Sequence, residues 1–97
     1  MDKKQIINII DDKLKSLVYI EVEGICALDE GLEYDLHDYH KENEKFEYDI
    51  EMLLYYLDKE LPEDINFSHR YSEKYSICGI DGEKVPDYHC YLRIYEY

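Results

Sequence analysis

The chain contains no tryptophan, four glycines and two prolines in 97 residues. Gly24, Gly31, Gly79 and Gly82 stand singly, so no glycine-rich loop is present to cradle a phosphate. Neither GxSxG nor HExxH occurs, which removes two common signatures of hydrolases. No CxxC links the three cysteines, Cys26, Cys78 and Cys90. An odd, widely spaced set argues against a disulfide framework and fits a reducing compartment, with all three read as small packing residues. Apolar runs such as Leu53 to Leu57 are far too short to cross a bilayer. Asp2, Lys3, Lys4 and Gln5 lead straight into a short amphipathic pattern, without a basic-then-apolar opening. The expectation is a single domain in the cytoplasm with no membrane contact.

Positive charge is the other scarcity. The chain has 11 bases against 24 acids, a net charge of −13. Residues 1–15 hold 3 acids and 4 bases, a net of +1. Residues 16–64 hold 16 acids and 3 bases, a net of −13, and residues 65–97 hold 5 acids and 4 bases, a net of −1. The middle segment therefore carries the whole surplus. Nucleic acid and anionic membranes both require positive charge to bind, so neither is a direct partner. A basic protein surface is attracted instead. The hydrophobic fraction of 45% shows that the chain is no disordered acidic tail.

Periodicity gives the elements. In residues 2–15, Ile6, Ile10, Leu14 and Leu17 follow a helical stripe widened by Ile7, with Asp2 as N-cap and Lys13 and Lys15 at the C-terminal end. Residues 17–23 alternate, with Val18, Ile20 and Val22 facing one way. Gly24 reads as a bulge, Ile25 to Leu28 continue the strand, and Asp29-Glu30-Gly31 make a turn. Leu32, Tyr34 and Leu36 then alternate with Glu33, Asp35 and His37 in the second strand of a hairpin. Residues 43–61 give the clearest helix: Phe46, Ile50, Leu53, Leu54, Leu57 and Leu61 share a face, Asn43 caps the start and Pro62 ends it. The last third reads as three strands, 65–71, 75–80 and 88–95, broken at Ser72-Glu73-Lys74 and at a loop with Asp81-Gly82 and Pro86. The expected fold is α+β, two helices packed on an antiparallel sheet, in the order α-β-β-α-β-β-β.

Four features bear on function. First, Glu44, Glu47, Glu51, Tyr55 and Asp58 line the helix face away from the apolar stripe. Glu21, Glu23, Glu33 and Asp35 take outward positions on the hairpin. Together they predict carboxylate rows on two neighbouring elements, set against the plainer reading of a solvated face. Second, twelve tyrosines are present; Tyr19, Tyr39, Tyr91 and Tyr95 fall at outward strand positions and Tyr55 on the acidic helix face. Exposed tyrosine beside carboxylates suits a partner rich in Arg and Lys, while strand propensity alone also enriches it. Third, His37 and His40 form an HxxH, with His69 and His89 further on. If residues 32–39 are a strand, the HxxH pair points to opposite faces, poor geometry for a shared metal, so no metal or cofactor is expected. Fourth, no pattern places Cys with His for catalysis, and the carboxylates are too many for any pair to stand out; the expectation is binding and not catalysis.

In size, acidity and tyrosine-rich α+β character the chain resembles phage-encoded inhibitors of bacterial defence, anti-CRISPR proteins that mimic DNA in particular. Glu21, Glu23, Glu33, Asp35, Glu44, Glu47, Glu51 and Asp58 carry the resemblance. It implies an inhibitor in the host bacterial cytoplasm that occupies the basic groove of a nucleic-acid-binding effector such as a Cas protein or nuclease. Tyr19, Tyr39 and Tyr55 would add contact area. The same character is similar to that of immunity proteins that neutralise nuclease toxins. A small metal-binding or catalytic protein using His37, His40, His69 or His89 is the reading from another class. A homodimer is a further alternative, because Tyr88 to Tyr97 reads as an exposed edge strand.

Overall fold

The computed structural model describes residues 2–78 and 83–96, and the backbone alone for residues 74–78, 83–87 and 96. The elements are α1 (Lys3–Leu14), β1 (Glu21–Leu28), β2 (Gly31–His37), α2 (Asn43–Glu60), β3 (Ile65–Cys78) and β4 (Glu83–Glu96). The fold class is the expected α+β, with four strands in place of five.

Local chemistry accounts for the helix ends. Asp2 Oδ1 accepts the Gln5 N–H at 2.9 Å, and Gln5 Oε1 accepts the Asp2 N–H at 2.9 Å. This reciprocal capping box satisfies two amides that the first turn leaves without helical partners. The start of α2 is different. Its N-cap is Glu42, not Asn43, and no side chain caps it. The approach to α2 turns at Asp38, whose Oδ1 accepts the His40 N–H at 3.1 Å, and passes through Lys41 at φ 57. At the far end Pro62 forces the preceding Leu61 into extended backbone, φ −84 and ψ 142, and the helix stops there.

The first strand begins later than its alternation predicts. Leu17 and Ile20 are drawn into turns by bonds from Leu17 N–H to the Leu14 carbonyl and from Ile20 N–H to the Leu17 carbonyl. Both are buried, but Val18 is 68% exposed and leaves the expected inward row. The bulge falls between Val22 and Gly24, with Glu23 as the extra residue. Gly31 belongs to β2 and not to the turn. A Cβ there would lie 1.8 Å from the Ile94 carbonyl oxygen, so the close approach of β4 requires glycine.

The sheet order is β1-β2-β4-β3, antiparallel throughout. The expected break at Ser72-Glu73-Lys74 does not occur. These residues stay in register with His89, Tyr88 and Asp87, so β3 runs unbroken, and β4 passes through Pro86 opposite Tyr75. β2 ends at the His37–His89 pair, after which the Asp38 N–H still bonds the Tyr88 carbonyl at 3.1 Å, and from there β3 and β4 continue as a two-stranded ribbon. Ser72, Glu73 and Lys74 offer no apolar residue to mark an inward row, which is why their sequence looks like a turn. The expected Asp81-Gly82 loop lies outside the described residues. β4 sits between β2 and β3, so the final strand is interior, and the edges are β1 and β3.

Both helices cover one face of the sheet. Leu32, Tyr34 and Leu36 of β2 and Cys90, Leu92 and Ile94 of β4 pack with Ile6, Ile10, Phe46, Ile50, Leu53 and Leu57 in one buried cluster. Each large side chain here contributes about 1.5–3 kcal/mol of burial, so this cluster supplies most of the driving force. Among the described residues, no helix lies on the other face of the sheet. Among the described residues no helix is long and apolar enough to cross a membrane.

Candidate interaction surface

Strand alternation decides where the hairpin carboxylates go. With Leu32, Tyr34 and Leu36 turned toward the helices, Glu33 and Asp35 point from the open face. Glu21 and Glu23 of β1 join them there, beside His37. Of the α2 row, Glu44, Glu51, Tyr55 and Asp58 lie on the outer side of the helix layer, away from Phe46, Ile50, Leu53 and Leu57, whereas Glu47 turns toward β4. The two rows expected to adjoin are therefore on opposite sides of the molecule.

The open-face carboxylates are largely engaged within the chain. One Glu33 oxygen accepts both Arg93 Nε at 2.9 Å and Arg93 Nη2 at 2.7 Å. That pairing holds the guanidinium pKa above its ordinary value. Asp35 Oδ1 meets His89 Nδ1 at 2.7 Å. The Tyr39 hydroxyl donates to Glu23, and this bond pushes the Tyr39 pKa up to about 12. His37 Nδ1 lies 3.7 Å from the same Glu23 carboxylate. The His37 and His89 rings stack with centroids 4.3 Å apart and 15° between planes. The Arg70 guanidinium lies 4.9 Å from the centre of the Tyr91 ring. This face is a mixed network of charges and rings, in contrast to the expected free acidic row.

On α2 the picture reverses. Glu44, Glu51 and Asp58 are exposed, and no ion pair reaches them among the described residues. Glu47 is half-buried and accepts the Tyr88 hydroxyl at 2.5 Å. Burial first, and then this bond, hold the Tyr88 phenol well above its ordinary pKa. Tyr55 is 53% exposed, with Lys59 Nζ 4.3 Å from its ring centre. Tyr48, 63% exposed, was not among the expected contact residues. Its signal was present: it lies one heptad before Tyr55 and so shares the outer side of the helix. Tyr19 is not an outward strand residue. It precedes β1, is half-buried, and packs against His40 at 5.1 Å and under Lys45 at 5.3 Å.

The histidines do not converge as the HxxH spacing invites. His37 is buried on the sheet, whereas His40 is exposed in the following turn. His69 is exposed on β3 and meets Tyr71 edge-on at 5.6 Å. The real neighbour of His37 is His89, directly opposite on β4. Among the described residues no three His, Cys, Asp or Glu side chains are grouped so as to hold a metal ion. Of the cysteines, Cys90 is the expected packing residue, but Cys26 is exposed on the sheet's open face; the Cys78 side chain lies outside the described residues.

No protein-family model, curated protein or solved structure matches this chain.

Proposed function

We propose that this protein is an inhibitor that binds the basic, nucleic-acid-binding surface of a bacterial effector through the outer side of α2, in the bacterial cytoplasm. One observation carries the reading: Glu44, Glu51 and Asp58 are exposed and, among the described residues, without ion pairs, and Tyr48 and Tyr55 stand exposed beside them. Carboxylates that already have partners gain little from a new one, whereas unpaired ones steer and hold Arg and Lys. The tyrosines supply rigid contact area with a polar tip.

Spacing limits how far the resemblance to nucleic acid extends. From Glu44 to Asp58 the helix rises about 21 Å and carries four carboxylates even with the Tyr88-bonded Glu47 included, at most one for every 7 Å or so. A single strand within duplex DNA carries one charge per about 3.4 Å. The row thus has roughly half the line density of one DNA strand. It matches a short basic patch better than a long groove.

The test is capture of a nucleic-acid-binding effector on immobilised protein, followed by competition with that effector's own DNA or RNA. The double variant Glu44→Lys with Glu51→Lys leaves the Glu47–Tyr88 bond intact. It is expected to weaken capture by on the order of tenfold or more, with affinity falling as salt rises. Capture that withstands both the variant and high salt refutes the proposal.

A further inference from the structure

The edge strand β1 has no strand on its outer side and is exposed along nearly its whole length. Its two sides differ in chemistry. Toward the helix layer it shows Val22, 40% exposed, Ile25, 45% exposed, and Ala27, none of them covered by α1. Toward the open face it shows Glu21 and Glu23, which strand alternation puts on the same side. Leu28 and Gly31 close a two-residue turn. They form a bonded pair, so the alternating pattern turns the N–H and C=O groups of Ile25 and Ala27 outward.

Edge strands are commonly blunted by Lys, by Pro or by a bulge, and the β1 bulge precedes the regular stretch from Ile25 to Leu28. β3, the other edge, contains Arg70 and Lys74, whereas β1 contains no basic residue and no proline. Its only charges are acidic. A second copy would bring the same carboxylates and the same net charge of −13 to the interface. The edge therefore disfavours self-pairing and favours a basic strand.

We propose that the outer edge of β1 is a strand-addition site for an extended segment of a partner protein in which Lys or Arg alternates with apolar residues. The main chain of that segment bonds Ile25 and Ala27. Its apolar side chains cover Val22, Ile25 and Ala27, and a cation meets Glu21, since Glu23 is already held by Tyr39 and His37. The site is separate from α2, and β1 alone carries the inference.

The experiment uses two synthetic amidated peptides of one composition, Lys-Val-Lys-Val-Lys-Val-Lys and Lys-Lys-Lys-Lys-Val-Val-Val, with amide hydrogen exchange as the readout. Near saturation the alternating peptide is expected to slow exchange at Ile25 and Ala27 by about tenfold, and the block peptide is not. Ala27→Pro removes an outward N–H that makes no bond to β2, a change edge positions tolerate. It is expected to abolish the protection, and Glu21→Lys is expected to weaken it. Should Ala27→Pro fail to fold, Glu21→Lys and the peptide pair still decide. Three results each overturn the proposal: equal protection by the block peptide, protection confined to α2, or protection that appears with protein concentration alone and so reports a second copy.

Discussion

Cys90 sits in the middle of the sheet, fully buried, and burial pushes its thiol from the ordinary 9.0 up to about 12. The phenols of Tyr34, Tyr71 and Tyr88 are likewise raised, mainly by burial. In each case the neutral, protonated form is the one that folds. A raised folded-state pKa gives stability that is complete below the unfolded pKa and is lost as pH rises through the folded one. For Cys90 that window runs from 9.0 to about 12, below and within the range where the tyrosines join. Urea midpoints are therefore expected to hold steady up to about pH 8.5 and then fall, each group steepening the loss by about 1.4 kcal/mol per pH unit. Between pH 9 and 10 the slope belongs mostly to the thiol, so Cys90→Ala should flatten it there. An unchanged slope in that variant would show that the thiol is not held protonated by the fold. Cys26, Cys78 and Cys90 all read as packing residues in the sequence; the sheet face that the helices cover separates the buried Cys90 from Cys26 on the open face.

At the scale of the element, α1 and α2 make an instructive pair. Both were legible because their apolar residues recur at helical spacing, and α1 also announces its start through Asp2 and Gln5. The start of α2 was misplaced by one residue, since Asn43 is a good capping residue in a helical position and Glu42 holds the cap without a side-chain bond. This leaves α2 under-capped. Glu42→Ser is expected to stabilise the protein by about 0.5–1 kcal/mol, read as a rise in the urea midpoint at constant m-value. A lower midpoint would mean that the Glu42 side chain has a structural role that the cap geometry does not reveal. The β3–β4 hairpin shows the opposite failure. Apolar alternation fades at Ser72-Glu73-Lys74, and a continuous ladder then reads as two short strands.

For the whole molecule the governing quantity is a net charge of −13 over 97 residues. Salt screens that self-repulsion, with a Debye length that falls from about 30 Å at 0.01 M to about 3 Å at 1 M. It also weakens the exposed pairs Lys13–Glu60 and Arg93–Glu33. Such pairs are worth about 0–1 kcal/mol each, so the repulsion among the surplus acids prevails. Sodium chloride is therefore expected to raise the melting temperature by several degrees, about 4–8 °C for each kcal/mol gained in a domain of this size. A melting temperature that falls with salt would show that the internal ion pairs dominate.

The sequence alone determined the helices, the inward row of β2, the α+β class and the location of the surplus charge. Each of these is local: a period, a cap, or a count along the chain. Tertiary structure decided what the charge faces. Which side of the sheet the helices cover put Glu33 and Asp35 opposite the α2 row, and strand order brought Arg93 and His89 within bonding distance of them. Strand order also made β4 interior, left β1 as an open edge, and stacked His89 on His37 across more than fifty residues of chain. Such juxtapositions come from the pairing of strands distant in sequence and from which sheet face the helices bury, and residue periodicity fixes neither.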